Sequence, residues 1–178
     1  MDVFDAIQTR RSIRSYLPDP IPEEVLKKIL EAGRLAPSAN NRMPWNFIVV
    51  KDPGKRKAMA ESGTYGRFLT ESPVVIVGCG DRKAASKWYA VDTTIALENM
   101  VIAATAEGVG TCWIGSFDEQ KVKNLLKVPD DFSVIALVAM GYPKEGLDLR
   151  ELALKLVRPR KGIEKVTSSE EFGRPLYV

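Results

Sequence analysis

The chain has 178 residues, with 26 Lys and Arg against 23 Asp and Glu and a formal net charge of +3; that size suits one hydrophobic core, and that balance excludes nucleic acid as a default partner. No apolar run approaches the roughly 20 residues that cross a bilayer, and the N-terminus lacks a basic region followed by an apolar stretch, so no membrane partner and a cytoplasmic location are expected. The count of histidines is 0, which argues against Ser-His-Asp hydrolysis, Cys-His proteolysis and most zinc chemistry, leaves no metal site expected, and favours an organic cofactor that carries its own reactivity.

Residues 3–10 read as a short amphipathic helix capped by Asp2, with Val3, Phe4 and Ile7 on one face. Ser12–Tyr16 reads as extended, and Pro18, Pro20 and Pro22 form a stiff connector. Pro22 suits a first helical turn, followed by Glu23 and Glu24 at the positive end of the helix dipole and by Val25, Leu26, Ile29, Leu30 and Gly33 at helical spacing. Ala36–Pro44 is a loop of turn formers. Trp45–Val50 is a strand, Lys55–Glu61 a helix, and Val74–Val77 a buried strand closed by Gly78 and Gly80. Tyr89–Glu107 is the strongest helix; it is apolar nearly all round from Met100 to Ala106, the pattern of a helix covered on more than one side. Thr111–Ile114 is a short strand. Ser116-Phe117-Asp118-Glu119 fits a capping box that opens a helix carrying Val122, Leu125 and Leu126. Phe132–Met140 is another buried strand, Leu147–Leu156 a helix, and Glu164–Val166 an edge strand. The elements sum to an α+β or three-layer α/β domain with four or five strands around a buried helix. Cys79 and Cys112 form no CxxC pair and read as reduced core thiols.

Four segments can carry chemistry. Arg10-Arg11-Ser12-Ile13-Arg14 places three guanidinium groups within five residues, either as a solvated basic turn or as a phosphate contact. In an extended chain, Arg10, Ser12 and Arg14 share one side. Pro37-Ser38-Ala39-Asn40-Asn41 is either an ordinary turn or a set of hydroxyl and amide donors for a polar heterocycle. Gly108–Ser116 contains a GxG, but it follows a helix and opens a strand, the reverse of the dinucleotide-binding order. Its better use is close approach of the backbone at Gly115 to a planar ring. Arg158-Pro159-Arg160 sets two arginines on one side of an extended segment.

Together these segments resemble the nitroreductase family of FMN-dependent oxidoreductases. Arg-Arg-Ser-x-Arg, Pro-Ser-x-x-Asn-x-x-Pro-Trp, Gly-x-Gly-Thr-Cys-Trp-Ile-Gly and a late Arg-x-Arg stand in the family's order and spacing from about Val3 to about Val166. The resemblance implies a three-layer α-β-α sandwich around a mostly antiparallel sheet. It also implies an intertwined homodimer with two FMN sites at the subunit interface; residues 1–166 read as one domain, and 167–178, which carry Phe172, Leu176 and Tyr177, are a candidate for wrapping the partner, their role left open. Carried over by position, Arg10, Arg11, Arg158 and Arg160 would hold the phosphate, Ser12 the ribityl chain or ring edge, and Arg14 the pyrimidine edge, with Arg67 as a looser match there. Pro37, Ser38, Ala39 and Asn41 would come from the other subunit, and the backbone of Trp113, Ile114, Gly115 and Ser116 would face the reactive ring nitrogen. No protein side chain is then assigned the chemistry itself.

The implied activity is hydride transfer from NADH or NADPH, through the flavin, to small molecules such as nitroaromatics or quinones. Met43 stands where many members carry Gln, and Gly115 where some carry an acid, which leaves the substrate open. Alternatives are the same flavin chemistry in enone reduction, reductive dehalogenation or flavin cleavage, a non-enzymatic flavin binder, and a nucleic-acid module, the last disfavoured by the small net charge.

Overall fold

Alternation along two strands determines how this chain stacks. In the computed structural model, which describes residues 1–63, 66–144 and 159–176, Val74 and Ile76 join a cluster with Leu26, Ile29, Leu97 and Met100. Val75, Val77 and Cys79 face the opposite side, among Met59, Leu69 and Val122. A strand buried on both faces has to be apolar throughout, which is why 74–77 shows no polar alternation. The layers follow: α2 (Glu23–Arg34) and α4 (Tyr89–Ala106) cover one face, while α3 (Pro53–Glu61) and α5 (Glu119–Leu126) cover the other.

Between them lies the sheet of β1 (Trp45–Val50), β2 (Val74–Asp81), β3 (Gly110–Ile114) and β4 (Phe132–Gly141), in the order β1-β2-β4-β3. Every pairing among these four strands is antiparallel. The three-layer α+β arrangement is as expected, with four strands among the described residues. A short helix α1 (Val3–Thr9) precedes them, capped as anticipated by Asp2, whose carboxylate accepts from the Asp5 N–H at 2.9 Å.

Beyond shifts of one or two residues at element ends, the structure corrects the sequence reading at β2, at the cap of α5 and at residues 163–165. β2 does not stop at Gly78 but continues to Asp81. A Cβ at Gly78 would lie 2.5 Å from Leu97 Cδ1, so the glycine admits α4 against the strand rather than ending it. The cap of α5 is Asp118, not Ser116: the Asp118 carboxylate accepts from Lys121 N–H at 3.1 Å, while Glu119 turns away to accept from Val134 N–H at 3.0 Å. Residues 163–165 form a 3-10 turn rather than an edge strand, because their bonds are local: Lys165 N–H to Gly162 O at 3.0 Å and Val166 N–H to Ile163 O at 3.1 Å. The helix expected over Leu147–Leu156 lies outside the described residues.

Cys79 and Cys112 are buried thiols, and burial pushes the Cys79 thiol up to about 11. Among the described residues no helix is long and apolar enough to cross a membrane. The chain divides into a unit over Met1–Lys144, which holds the sheet and its covering helices, and a second unit over Glu145–Val178.

Ser72 shows how the sheet is started. Its buried hydroxyl accepts from Met140 N–H at 3.1 Å and lies 2.6 Å from Val74 O and 3.0 Å from Met140 O. Ser72→Ala is expected to lower stability by about 1 kcal/mol, since it leaves that buried amide without its acceptor. A urea midpoint equal to wild type would contradict this.

Candidate functional site

The arginine-rich segment begins where α1 ends. Arg11 folds back on the helix: its NH1 donates to the carbonyls of Gln8, Thr9 and Arg10 at 2.9, 3.0 and 2.9 Å. A cation there satisfies carbonyls left over by the last turn. The chain then runs extended beside the edge strand β3. Ser12 forms a parallel bridge with Thr111, and Ile13 N–H donates to Thr111 O at 2.8 Å. Tyr16 is buried, and its hydroxyl donates to Ile13 O at 2.5 Å; burial raises the phenol's pKa well above its ordinary value. Arg14 is half-buried, with its NH1 donating to Ser12 O at 3.3 Å, and the chain beyond it pairs with the segment after β4, Lys144 N–H donating to Ser15 O at 3.1 Å and Leu17 N–H to Tyr142 O at 2.9 Å. Arg10 and Arg11 line a cleft of about 190 Å³ with Thr105 and Gly108 at the end of α4.

At the far end of β3 the backbone opens. Trp113 is tied to α4 by its Nε1, which donates to Glu98 Oε2 at 3.1 Å. Ile114 is buried, but a Cβ at Gly115 would meet no protein atom within 4 Å. The following turn, including Ser116, is held from α3: Asp118 N–H donates to Ser62 O at 2.8 Å, and Gly63 lies directly against the Ser116 carbonyl. Arg67 is exposed at the start of the 3-10 turn Arg67–Thr70. That turn is clamped to α3 by Arg56, whose NH1 donates to Thr70 O at 3.0 Å and also to Leu69 O and Ser72 O.

The Pro37–Pro44 loop is anchored elsewhere. Asn40, Asn41 and Met43 have φ of 53°, 54° and 46°, the left-handed region that non-glycine residues adopt only when held. Three side chains among the described residues hold it, one of them Arg42, whose NH1 donates to Ala84 O at 3.1 Å. Ser38 Oγ accepts from Met43 N–H at 2.9 Å, and Asp92 Oδ2 accepts from Ala39 N–H at 3.2 Å. Pro37, Ser38 and Ala39 line a cavity of about 280 Å³ with Trp88, Val91 and Asp92.

Asp92 sits in the first turn of α4, whereas Thr105, at the Arg10 cleft, lies near its other end. At 1.5 Å per residue the two points are ~20 Å apart along the helix. One chain therefore brings Arg10, Arg11, Ser12 and Arg14 to the start of β3, whose other end leads into the Trp113–Ser116 turn, but it does not bring the Pro37–Asn41 loop to the Arg10 cleft. Arg160 is exposed in the second unit, and Arg158 lies outside the described residues. Sequence reasoning passed over Asp92, Glu98 and Tyr16. The signal for the first two was present: acids at positions 92 and 98 interrupt a helix otherwise read as buried, and a buried acid requires a partner.

A three-layer α+β domain with a cationic segment fastened to its edge strand is a scaffold suited to an anionic cofactor. The chain belongs to the nitroreductase family, whose family model matches residues 7–64 and 61–142. A relative from Archaeoglobus fulgidus, provisionally described as an NADH dehydrogenase/NAD(P)H nitroreductase, is 40% identical over 82% of this chain and 87% of its own. An NADH dehydrogenase from Thermus thermophilus is 32% identical over 88% of this chain and 95% of its own. The solved structure of an FMN-dependent nitroreductase from Clostridium difficile R20291 is 31% identical and superposes with a TM-score of 0.73 over 85% of this chain and 95% of its own.

Proposed function

We propose that this protein binds FMN and uses electrons from NADH or NADPH to reduce small electron-poor organic molecules such as nitroaromatics or quinones. The observation that carries this reading is the Arg10–Arg14 segment fastened by the Ser12–Thr111 bridge to β3, the strand that leads into the open backbone at Gly115. The donor set fits an FMN: guanidinium groups for a phosphate, hydroxyls and amides for a ribityl chain, and an open backbone where a planar ring can approach. The activity named for the Archaeoglobus relative and the cofactor named for the Clostridium structure support the same assignment.

When bound, flavin supplies reversible two-electron chemistry that needs no histidine from the protein. The chain's own residues bind and tune. Arg10 takes the phosphate end. Arg11 clamps α1 and adds positive charge there. Ser12 supports the ribityl chain or ring edge, and Arg14, with Arg67 as a further candidate, faces the pyrimidine edge. Trp113, Ile114, Gly115 and Ser116 present the backbone to the reactive ring nitrogen.

The active species in this reading is a homodimer. Pro37, Ser38, Ala39 and Asn41 then complete the partner's site, which accounts for a loop ~20 Å along α4 from the Arg10 cleft. Val3 and Phe4, each 68% exposed, and Trp88 and Val91, at 44% and 48%, supply apolar surface on α1 and α4 that a second copy would cover. Residues 167–178, with Phe172, extend onto that partner.

Anaerobic addition of NADH or NADPH to purified protein reconstituted with FMN is expected to bleach the flavin, and a panel of nitroaromatics and quinones is expected to restore its colour. A protein with no affinity for added FMN would sink the reading. Flavin that is reduced but reoxidised by neither class, and only by enones or halogenated aromatics, would reassign the acceptor.

A further inference from the structure

We propose that Asp92 is a positioning residue for cofactor binding: from the first turn of α4 it holds the Ala39 amide and so keeps the strained Ser38–Met43 loop in the shape that grips FMN. This rests on the flavin reading above but adds a residue to it that acts through the loop. The Asp92 side chain is only 3% exposed, and its Oδ2 accepts from Ala39 N–H at 3.2 Å, across 53 positions of sequence. Burying an acid is costly unless it is hydrogen-bonded, so this position has to do something that an alanine cannot. What it does is visible in the loop. Three non-glycine residues there occupy the left-handed region, each at a cost that the surroundings have to offset. Ser38 Oγ closes the loop from within at Met43 N–H. Asp92 ties the Ala39 end of the loop to the body of the protein, beside the cavity walled by Trp88 and Val91, while Arg42 NH1 on Ala84 O at 3.1 Å ties the far end. The loop's proposed contacts, Pro37, Ser38, Ala39 and Asn41, all fall within two residues of the tether. Loss of the tether lets the loop relax toward ordinary dihedrals and withdraws those groups together.

The test uses Asp92→Ala and Asp92→Asn in the full chain. The amide oxygen of Asn can still accept from Ala39 N–H, so it is the conservative rescue. Hydrogen exchange at the Ala39 amide is expected to accelerate at least tenfold in Asp92→Ala and to stay within about threefold of wild type in Asp92→Asn. FMN affinity, read by quenching of flavin fluorescence on titration, is expected to fall at least tenfold in the alanine variant and to recover in the asparagine variant. The thermal midpoint of the asparagine variant is expected to match wild type. Unchanged Ala39 exchange in Asp92→Ala overturns the proposal whether or not flavin binds. So does exchange that accelerates while FMN affinity stays within twofold. Wild-type protein that takes up no FMN instead defeats the flavin reading, with Ala39 exchange still deciding whether Asp92 holds the loop. If Asp92→Ala yields no folded protein, Ala39→Pro removes the same bond from the donor side. Ser38, at ψ 157°, is already extended as a residue before proline must be. Wild-type FMN affinity in Ala39→Pro overturns the proposal.

Discussion

Arg14→Ala is expected to weaken FMN binding by about ten- to a hundredfold, a hydrogen bond to a charged group being worth about 1.5–3 kcal/mol. It is also expected to lower the flavin's two-electron midpoint potential. The sign follows from where charge develops: two-electron reduction leaves negative charge at the pyrimidine edge, so a cation there favours the reduced form, and its removal favours the oxidised one. If the variant loses a tenfold preference for the reduced state, the potential falls by about 30 mV. The effect depends on pre-organisation. Arg14 is half-buried, its NH1 donates to Ser12 O at 3.3 Å, and the backbone beside it is fixed by Ile13 N–H to Thr111 O at 2.8 Å and by the Tyr16 hydroxyl on Ile13 O at 2.5 Å. A charge presented that way needs little rearrangement when the ring changes state. Arg14→Lys should recover more of the potential than of the affinity, because it restores a positive charge without the bidentate fork. Equilibrium reduction against a reference dye, together with titration of the apoprotein, measures both quantities. An affinity and a potential equal to wild type would remove Arg14 from the pyrimidine edge.

The order of elements was legible in the sequence because local signals and burial agree. Trp45–Val50 comes out as β1 residue for residue. The uninterrupted Val74–Val77 run already implied a strand covered on both faces. What misled was punctuation. Gly78 and Gly80 look like a stop, yet Gly78 lies under Leu97 and the strand runs on; a glycine that ends an element and one that admits a neighbour look alike until the neighbour is known. Ser116-x-x-Glu119 satisfies a capping pattern that Asp118 in fact supplies, since Glu119 is drawn across to Val134.

The candidate site was legible as an inventory and not as an arrangement. The arginines and the Pro-Ser loop stand out by residue type. That the loop is pinned near the start of α4 and the arginines lie toward its other end follows from Asp92 and from the Ser12–Thr111 bridge, both contacts over long sequence separations. The residues passed over share that character. Tyr16, Asp92 and Glu98 act on backbone or side chains supplied by other elements, and nothing in their local sequence names those partners.

Gly63→Ala is the second substitution expected to matter greatly, and it separates support of the site from contact within it. A Cβ at Gly63 would land on the carbonyl oxygen of Ser116, 3.1 Å from its carbon and 3.2 Å from Phe117 Cα. The obstacle is backbone, so no rotamer change relieves it. Either the end of α3 or the Gly115–Asp118 turn has to move, and the two are tied together by Asp118 N–H on Ser62 O at 2.8 Å. Overpacking of this kind costs typically about 1–3 kcal/mol, and a backbone obstacle argues for the upper part of that range. The functional consequence is larger than the loss of stability, because the displaced turn is the one proposed to face the reactive ring nitrogen, and placement errors near 1 Å can cost about a hundredfold in rate. Hydride transfer from NADH to bound flavin, followed by stopped flow, is therefore expected to slow by at least tenfold at temperatures where the variant remains folded by circular dichroism. The Arg10–Arg14 segment is fastened at Thr111, near the other end of β3, so FMN affinity should suffer less than the rate. A variant that loses affinity and rate in equal measure would show that the Ser116 turn binds the flavin rather than orienting it.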